Sequence, residues 1–307
     1  MRDRFINTLC ELAQHDPRIM LITGDLGFAV LDEYRRRFPR QFINAGVAEQ
    51  NMTLVATGMA LEGHIVFTYS IGNFPTLRCL EMIRNDAAYH AANVKVVSIG
   101  GGFSYGPLGI SHHATEDLAI MRALPDVTVV SPTSLWETAE ATRVILKTAG
   151  TCFLRLDKDH GPDGPNEEPF VLGRPRVLRR GSDVALIVTG GILSEVVKAA
   201  EELGRAGIST SIYTVHTLKP FEPALIVAAS RQHRAIVTVE EHTVHGGLGG
   251  LVLETLADAG AFPRKFLRIG LAGCFSSVVG SQAYLRTTYA VDAASIADRT
   301  QKLLSSY

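Results

Sequence analysis

Short runs of β-branched and aliphatic residues recur along the chain, separated by longer stretches whose apolar positions return every three or four residues. Runs at 19–23, 65–69, 94–99, 127–130 and 152–156 read as strands, and the stretches 48–62, 73–91 and 132–148 read as helices. Ser134 stands three residues before Glu137, the spacing of a capping box at the start of the last of these helices. Alternation of strand and helix predicts a mostly parallel sheet covered by helices on both faces.

The segment 157–169, Asp-Lys-Asp-His-Gly-Pro-Asp-Gly-Pro-Asn-Glu-Glu-Pro, breaks the pattern. It is polar, rich in Pro and Gly, and suited to a linker. Beyond it the alternation restarts, with strands expected at 184–189, 210–213, 235–240 and 266–269 and helices at 192–205 and 249–259. The expectation is α/β architecture in two domains, residues 1–156 and 170–307, each a mostly parallel sheet flanked by helices. No close internal repeat accompanies the division.

Composition narrows the function. Hydrophobic residues make up 46% of 307, enough for two sizeable cores. A net charge of −1 without a basic block gives no footprint for nucleic acid or an anionic membrane, and no apolar run reaches bilayer length. The N-terminus, Met1-Arg2-Asp3-Arg4-Phe5, lacks the pattern of a signal peptide. Cys10, Cys79, Cys152 and Cys274 are scattered without a CxxC pair, which argues against a zinc site or disulfide framework and fits a reducing cytoplasm.

In open parallel sheets ligands collect at the carboxyl ends of strands, so the loops there are the places for chemistry. Glu49 opens the helix at 48–62, where a carboxylate complements the helix dipole whether or not it has another task. The loop 99–113 carries Gly100, Gly101 and Gly102, which allow close approach of backbone to a ligand, and ends in Ser111-His112-His113. Arg155, at the end of the fifth expected strand, is suited either to gripping an anion bidentately or to pairing with the acidic linker. No Walker-type or GxGxxG phosphate loop occurs in the first domain. Glu240, Glu241, His242 and His245 fit no common metal-ligand spacing, and no metal ligands are expected.

Taken in order, Leu21-Ile22-Thr23-Gly24-Asp25-Leu26, Gly46-Val47-Ala48-Glu49-Gln50, Ser111-His112-His113-Ala114-Thr115-Glu116-Asp117-Leu118 and Val239-Glu240-Glu241-His242-Thr243-Val244-His245-Gly246-Gly247-Leu248-Gly249 resemble the pyrimidine-binding and C-terminal domains of the transketolase family. The resemblance covers essentially the whole chain. It implies thiamine diphosphate with Mg2+, and a catalytic Glu49 hydrogen-bonded to the cofactor's pyrimidine N1', where burial favours sharing a proton. By the same resemblance Asp25 lies near the thiazolium, and Phe74, then Tyr69, serve as the aromatic platform, with Ile71 where the family often has Phe. Phe67 reads as core. His112 faces the substrate and moves protons or binds its oxygens, and Arg155 matches a family arginine that binds sugar phosphate.

Two departures bear on the substrate: Leu108 stands where the family has an acidic residue, and a substrate-facing histidine is replaced within 100–103. The family's Mg2+- and diphosphate-binding GDG…N segment does not occur in this chain, which implies a diphosphate-binding partner subunit, an α2β2 assembly and self-association through this chain. The leading expectation is one subunit of a split transketolase moving a two-carbon ketol unit between sugars or sugar phosphates. The alternatives are the β subunit of a 2-oxo acid decarboxylase-dehydrogenase and a non-catalytic scaffold subunit.

Overall fold

Twelve strands are assigned among residues 1–164 and 169–305, which the computed structural model describes. Part of the expected linker, 165–168, and the last two residues lie outside the described residues. In chain order the strands are β1 (Ile19–Thr23), β2 (Phe42–Asn44), β3 (Ile65–Ile71), β4 (Val94–Ile99), β5 (Val127–Val130), β6 (Thr151–Leu156), β7 (Arg176–Arg179), β8 (Val184–Val188), β9 (Thr210–Thr214), β10 (Thr217–Lys219), β11 (Ala235–Thr243) and β12 (Phe266–Leu271). A seven-stranded sheet runs β10-β5-β6-β4-β3-β1-β2, and a five-stranded sheet runs β12-β11-β8-β9-β7. Only β10 against β5 and β7 against β9 pair antiparallel. The architecture is therefore the expected pair of mostly parallel sheets, with β2, β7 and β10 added at their edges.

The central strands β1, β4 and β8 are buried on both faces, as central strands of a parallel sheet must be; β1 and β8 read as mostly apolar runs, and β4 buries Lys95 and Ser98 among its apolar residues. One core, under the helices Arg2–Ala13 and Leu135–Lys147, includes Phe5, Leu9, Leu21, Phe67, Tyr69 and Leu154. Across the same sheet, Ile22, Met52, Val94, Val96 and Phe153 form another beneath the helix Glu49–Leu61. The five-stranded sheet likewise has a core on each face, around Leu186 and Val188 on one and Ala185 and Ile187 on the other.

Two local expectations change. The helix expected over 73–91 begins only at Leu80, continues as a short π-helical stretch Ile83–Ala88, and leaves Asn73–Cys79 in turns. Pro75 supplies the reason, because a proline cannot donate to a helix interior and biases the preceding residue, Phe74, away from helical dihedrals. The cap on Leu135–Lys147 forms as expected on one side, Ser134 Oγ accepting from Glu137 N at 3.2 Å. The Glu137 carboxylate instead reaches one residue further back, accepting from the backbone N and hydroxyl of Thr133 at 2.8 Å each, while its other oxygen accepts from Arg176 and Thr214.

Candidate functional site

The chain leaves β1 toward β2 on one side, then crosses over the helix Glu49–Leu61 to β3 on the other side of β1. That reversal opens a crevice at the carboxyl ends of β1 and β3, the general location of ligands in such sheets. Glu49 starts the crossover helix and points into the crevice with 3% of its surface exposed. Gly24, the first residue after β1, faces it so closely that a Cβ there would lie 3.3 Å from Glu49 Cγ. From the far side Arg78 Nη1 donates to Glu49 Oε2 at 2.7 Å. Oε1 takes no hydrogen bond from the described residues.

The turns after β3 bring an aromatic ring to the same place. Phe74 is half-buried, and Arg78 Cζ stands 4.9 Å from its ring centroid. The ring of His112 meets Phe74 edge-on, with centroids 5.2 Å apart. This contact depends on stitching between two loops, because Asn73 Nδ2 donates to His113 O at 2.9 Å and Gly72 lies against His112 O. Ser111 Oγ is 3.0 Å from His112 Nδ1. Burial, with His113 beside it, lowers the proton affinity of His112 below its ordinary value, so the ring is a neutral acceptor near pH 7. Arg78 thus links Glu49 to Phe74, and Phe74 meets His112, in one run of contacts. Asp25 is exposed, with a left-handed φ of 56° and its carboxylate held by Asn44 Nδ2 at 2.9 Å.

Other candidate residues lie elsewhere. Tyr69 is 2% exposed and packs against Phe5, with ring centroids 6.4 Å apart. It alternates onto the helix-covered face of β3 and belongs to the core rather than to a platform. Ile71, half-buried, ends β3. Arg155 is corrected most: it is 1% exposed and sits between the two sheets, its Nε 3.4 Å from both Asp117 and Asp157, its Nη2 donating to Glu241 O at 3.0 Å. Still inside β6 and paired in register with Ser98, it is covered by the second domain and has no face for an anion.

The glycines at 101 and 102 are explained by the same packing. A Cβ on Gly101 would stand 1.8 Å from Arg155 Nε, and one on Gly102 would stand 2.5 Å from Glu241 Oε1. Gly102 also has a φ of +59°. The backbone approaches these buried side chains closely, not a ligand.

Sequence reasoning passed over a cavity of about 520 Å³ whose charged lining is Arg2, Asp3, Arg4, Asp157 and Lys158, with Tyr105 and His160 beside them. Tyr105 connects it to the first cluster, its ring centroid 6.2 Å from that of His112 and 3.8 Å from Lys158 Nζ. Burial, and to a smaller extent Arg2, lowers the proton affinity of Lys158. The signal was available: Lys158 is the first cation beyond the end of β6, whereas Arg155 is within the strand. Glu241 was also passed over, though it links the domains: Oε1 accepts from Phe103 N at 2.6 Å and Oε2 from Arg286 Nε at 2.5 Å. Glu240 occupies the N-terminus of the helix Leu248–Asp258, accepting from Leu248 N and Gly249 N, so the glycines there serve helix docking.

Glu49, Phe74 and His112 stand at the switch point of the first sheet of a two-domain α/β chain, the general place of a ligand in such sheets. The family models for transketolase, pyrimidine binding domain, and transketolase, C-terminal domain, match residues 1–163 and 173–296, and the chain belongs to the transketolase family. It is 37% identical over 303 residues to a Methanocaldococcus jannaschii protein described as a transketolase C-terminal section, covering 97% of this chain and 94% of that one. To the 6-deoxy-6-sulfo-D-fructose transketolase subunit of Clostridium sp. (strain MSTE9) it is 35% identical over 299 residues, covering 96% and 92%. A solved split gene transketolase, an inactive beta4 tetramer, superposes with a TM-score of 0.86 at 31% identity, covering 99% of this chain and 97% of that one.

Proposed function

We propose that this chain is the pyrimidine-binding subunit of a split, thiamine-diphosphate-dependent transketolase that moves a two-carbon ketol unit between sugars with an anionic end. The observation that carries the reading is the buried Glu49 carboxylate, its Oε1 without a hydrogen bond from the described residues, joined through Arg78 to the Phe74 ring. That acceptor and platform set fits an aminopyrimidine, which needs an acceptor in its plane and an apolar face beneath it. When bound, thiamine diphosphate supplies the electron sink for breaking and making the carbon–carbon bond.

The chain's own residues then have distinct tasks. Glu49 Oε1 holds the proton shared with the ring nitrogen, and Phe74 orients the ring. His112, neutral and close to Phe74, accepts or returns a proton at a substrate hydroxyl. Lys158 takes the anionic end of the sugar, the role expected of Arg155, because its cavity opens beside Tyr105 while Arg155 is enclosed; Arg2, in the same cavity, is paired with Asp3 at 2.8 Å. The relative named for a sulfonated sugar supports an anionic substrate.

A diphosphate-binding partner supplies the Mg2+ site and covers the crevice. Exposed apolar residues border it on several loops: Phe28 after Asp25, Val47 before Glu49, Leu77 before Arg78, and Leu108 and Ile110 before His112. Such a rim is suited to a protein partner. An α2β2 arrangement with self-association of this chain completes the proposal. All four cysteines are free, and no helix among the described residues is long and apolar enough to cross a membrane.

The test is native purification with identification of every accompanying polypeptide, followed by ketol transfer assays on the assembly. Equal amounts of a diphosphate-binding partner and turnover of phosphorylated or sulfonated ketoses are expected. An assembly that consumes pyruvate with an artificial electron acceptor, but no ketose, would replace the transketolase reading with that of a 2-oxo acid dehydrogenase subunit.

A further inference from the structure

We infer that Arg78 is a positioning residue for Glu49: it fixes one carboxylate oxygen so that the other, Oε1, faces the pyrimidine ring of the cofactor. The inference rests on the cofactor reading above and adds a residue to which the sequence motifs gave no role. Its basis is geometric. Glu49 is 3% exposed, and a carboxylate that far from water is costly to keep ionised without a partner. The Nη1–Oε2 contact with Arg78, at 2.7 Å, is the ion pair the described residues offer it.

Arg78 is held for this task from several directions. Its backbone N donates to Asn73 O at 3.3 Å, and Gln50 Nε2, one residue beyond Glu49, donates to Arg78 O at 3.2 Å. Its guanidinium also faces the Phe74 ring at 4.9 Å. Arg78 therefore joins the carboxylate to the aromatic ring. Gly24 lies on another side of Glu49, where an added Cβ would meet its Cγ at 3.3 Å. The arginine side chain itself is 46% exposed at the crevice mouth, unlike the enclosed Arg155, so its removal creates no cavity in the core.

Geometry decides the consequence. With Arg78 in place Oε2 is occupied, and Oε1 would be the oxygen presented to the ring. Without that donor neither oxygen is fixed, and the binding equilibrium loses an oriented acceptor.

The experiment is calorimetric titration of thiamine diphosphate, with Mg2+, into the native assembly, for wild type, Arg78→Gln and Arg78→Lys. Arg78→Gln is expected to bind about tenfold more weakly, the scale of one charge-assisted hydrogen bond. Arg78→Lys, which keeps the charge and a donor, is expected to recover most of that affinity. If Arg78→Gln matches wild type in affinity, or Arg78→Lys recovers none of the loss, the role of Arg78 is overturned while the cofactor reading stands. If the wild-type assembly binds no thiamine diphosphate, the cofactor reading fails and this inference fails with it.

Discussion

At the crevice, Glu49 is buried while its guanidinium partner is nearly half exposed, and one carboxylate oxygen is left over. Between the sheets the arrangement is the reverse. Arg155, Asp117, Asp157, Glu241 and Arg286 are each at most 4% exposed and are turned on one another, with Arg286 bridging Glu241 Oε2 and Asp159 Oδ2 at 2.5 and 2.6 Å. Both regions are made of Arg and carboxylates. The seam encloses its charges with partners from both domains, so it holds the domains in one orientation. The crevice is completed from one side only, so it keeps an acceptor and a ring face for something that is not this chain. Charge type did not distinguish them; closure did.

The largest effect expected from breaking that contrast is at Glu49. Glu49→Gln should lower ketol transfer by about 10²- to 10⁴-fold, the range for loss of a positioned proton-holding group, while the assembly elutes unchanged. An active Glu49→Gln assembly would remove the crevice from the chemistry. Arg155→Met should act in the opposite manner. Removing one partner of a buried charge cluster costs about 3–5 kcal/mol, read as a lower denaturant midpoint, with KM for anionic sugars little changed in the folded fraction. A variant of full stability with a raised KM would return Arg155 to the substrate.

His216 sharpens the seam through pH. Its O accepts from Ser131 N at 2.9 Å, and its ring stacks on Phe170 with centroids 4.0 Å apart. Burial pushes its pKa down from 6.5 to about 4. The ring is neutral in the fold while the unfolded chain binds a proton below 6.5. Its contribution is therefore complete above pH 6.5 and is lost as the pH falls toward 4, by roughly 3 kcal/mol. Denaturant titrations at about pH 7 and about pH 4.5 should show a steeper loss for wild type than for His216→Gln; parallel losses would exclude this group. The smallest effect is at Lys158. Lys158→Ala should raise KM for phosphorylated or sulfonated sugars about tenfold and leave kcat nearly unchanged, since the cation binds donor and transition state alike. Unchanged KM would leave the Lys158 cavity without a substrate role.

The interior strands were legible because they are buried on both faces: β1, β4 and β5 begin and end where their apolar runs do. The edges were not. β2 and β10, three residues each, carry too little pattern to stand out, and β10 returns from the second half of the chain to pair with β5. At the candidate site, Glu49 and Phe74 are singled out by motif and position in the sequence. Arg78 was hidden inside a stretch that reads as continuous helix until Pro75 is given its weight.

The sequence by itself determined the alternation of strand and helix, the two-sheet architecture and the placing of Glu49 at the mouth of its helix, because periodicity and local dihedral preference act over a few residues. Tertiary structure alone decided which cations are free to meet a ligand. Arg155 and Lys158 are three residues apart with the same charge, yet one is enclosed by Asp117 from its own domain and Glu241 from the other, while the other stands at a cavity. Burial depends on what the remainder of the chain brings to a position, and for Arg155 part of it comes from Glu241, 86 positions along the chain.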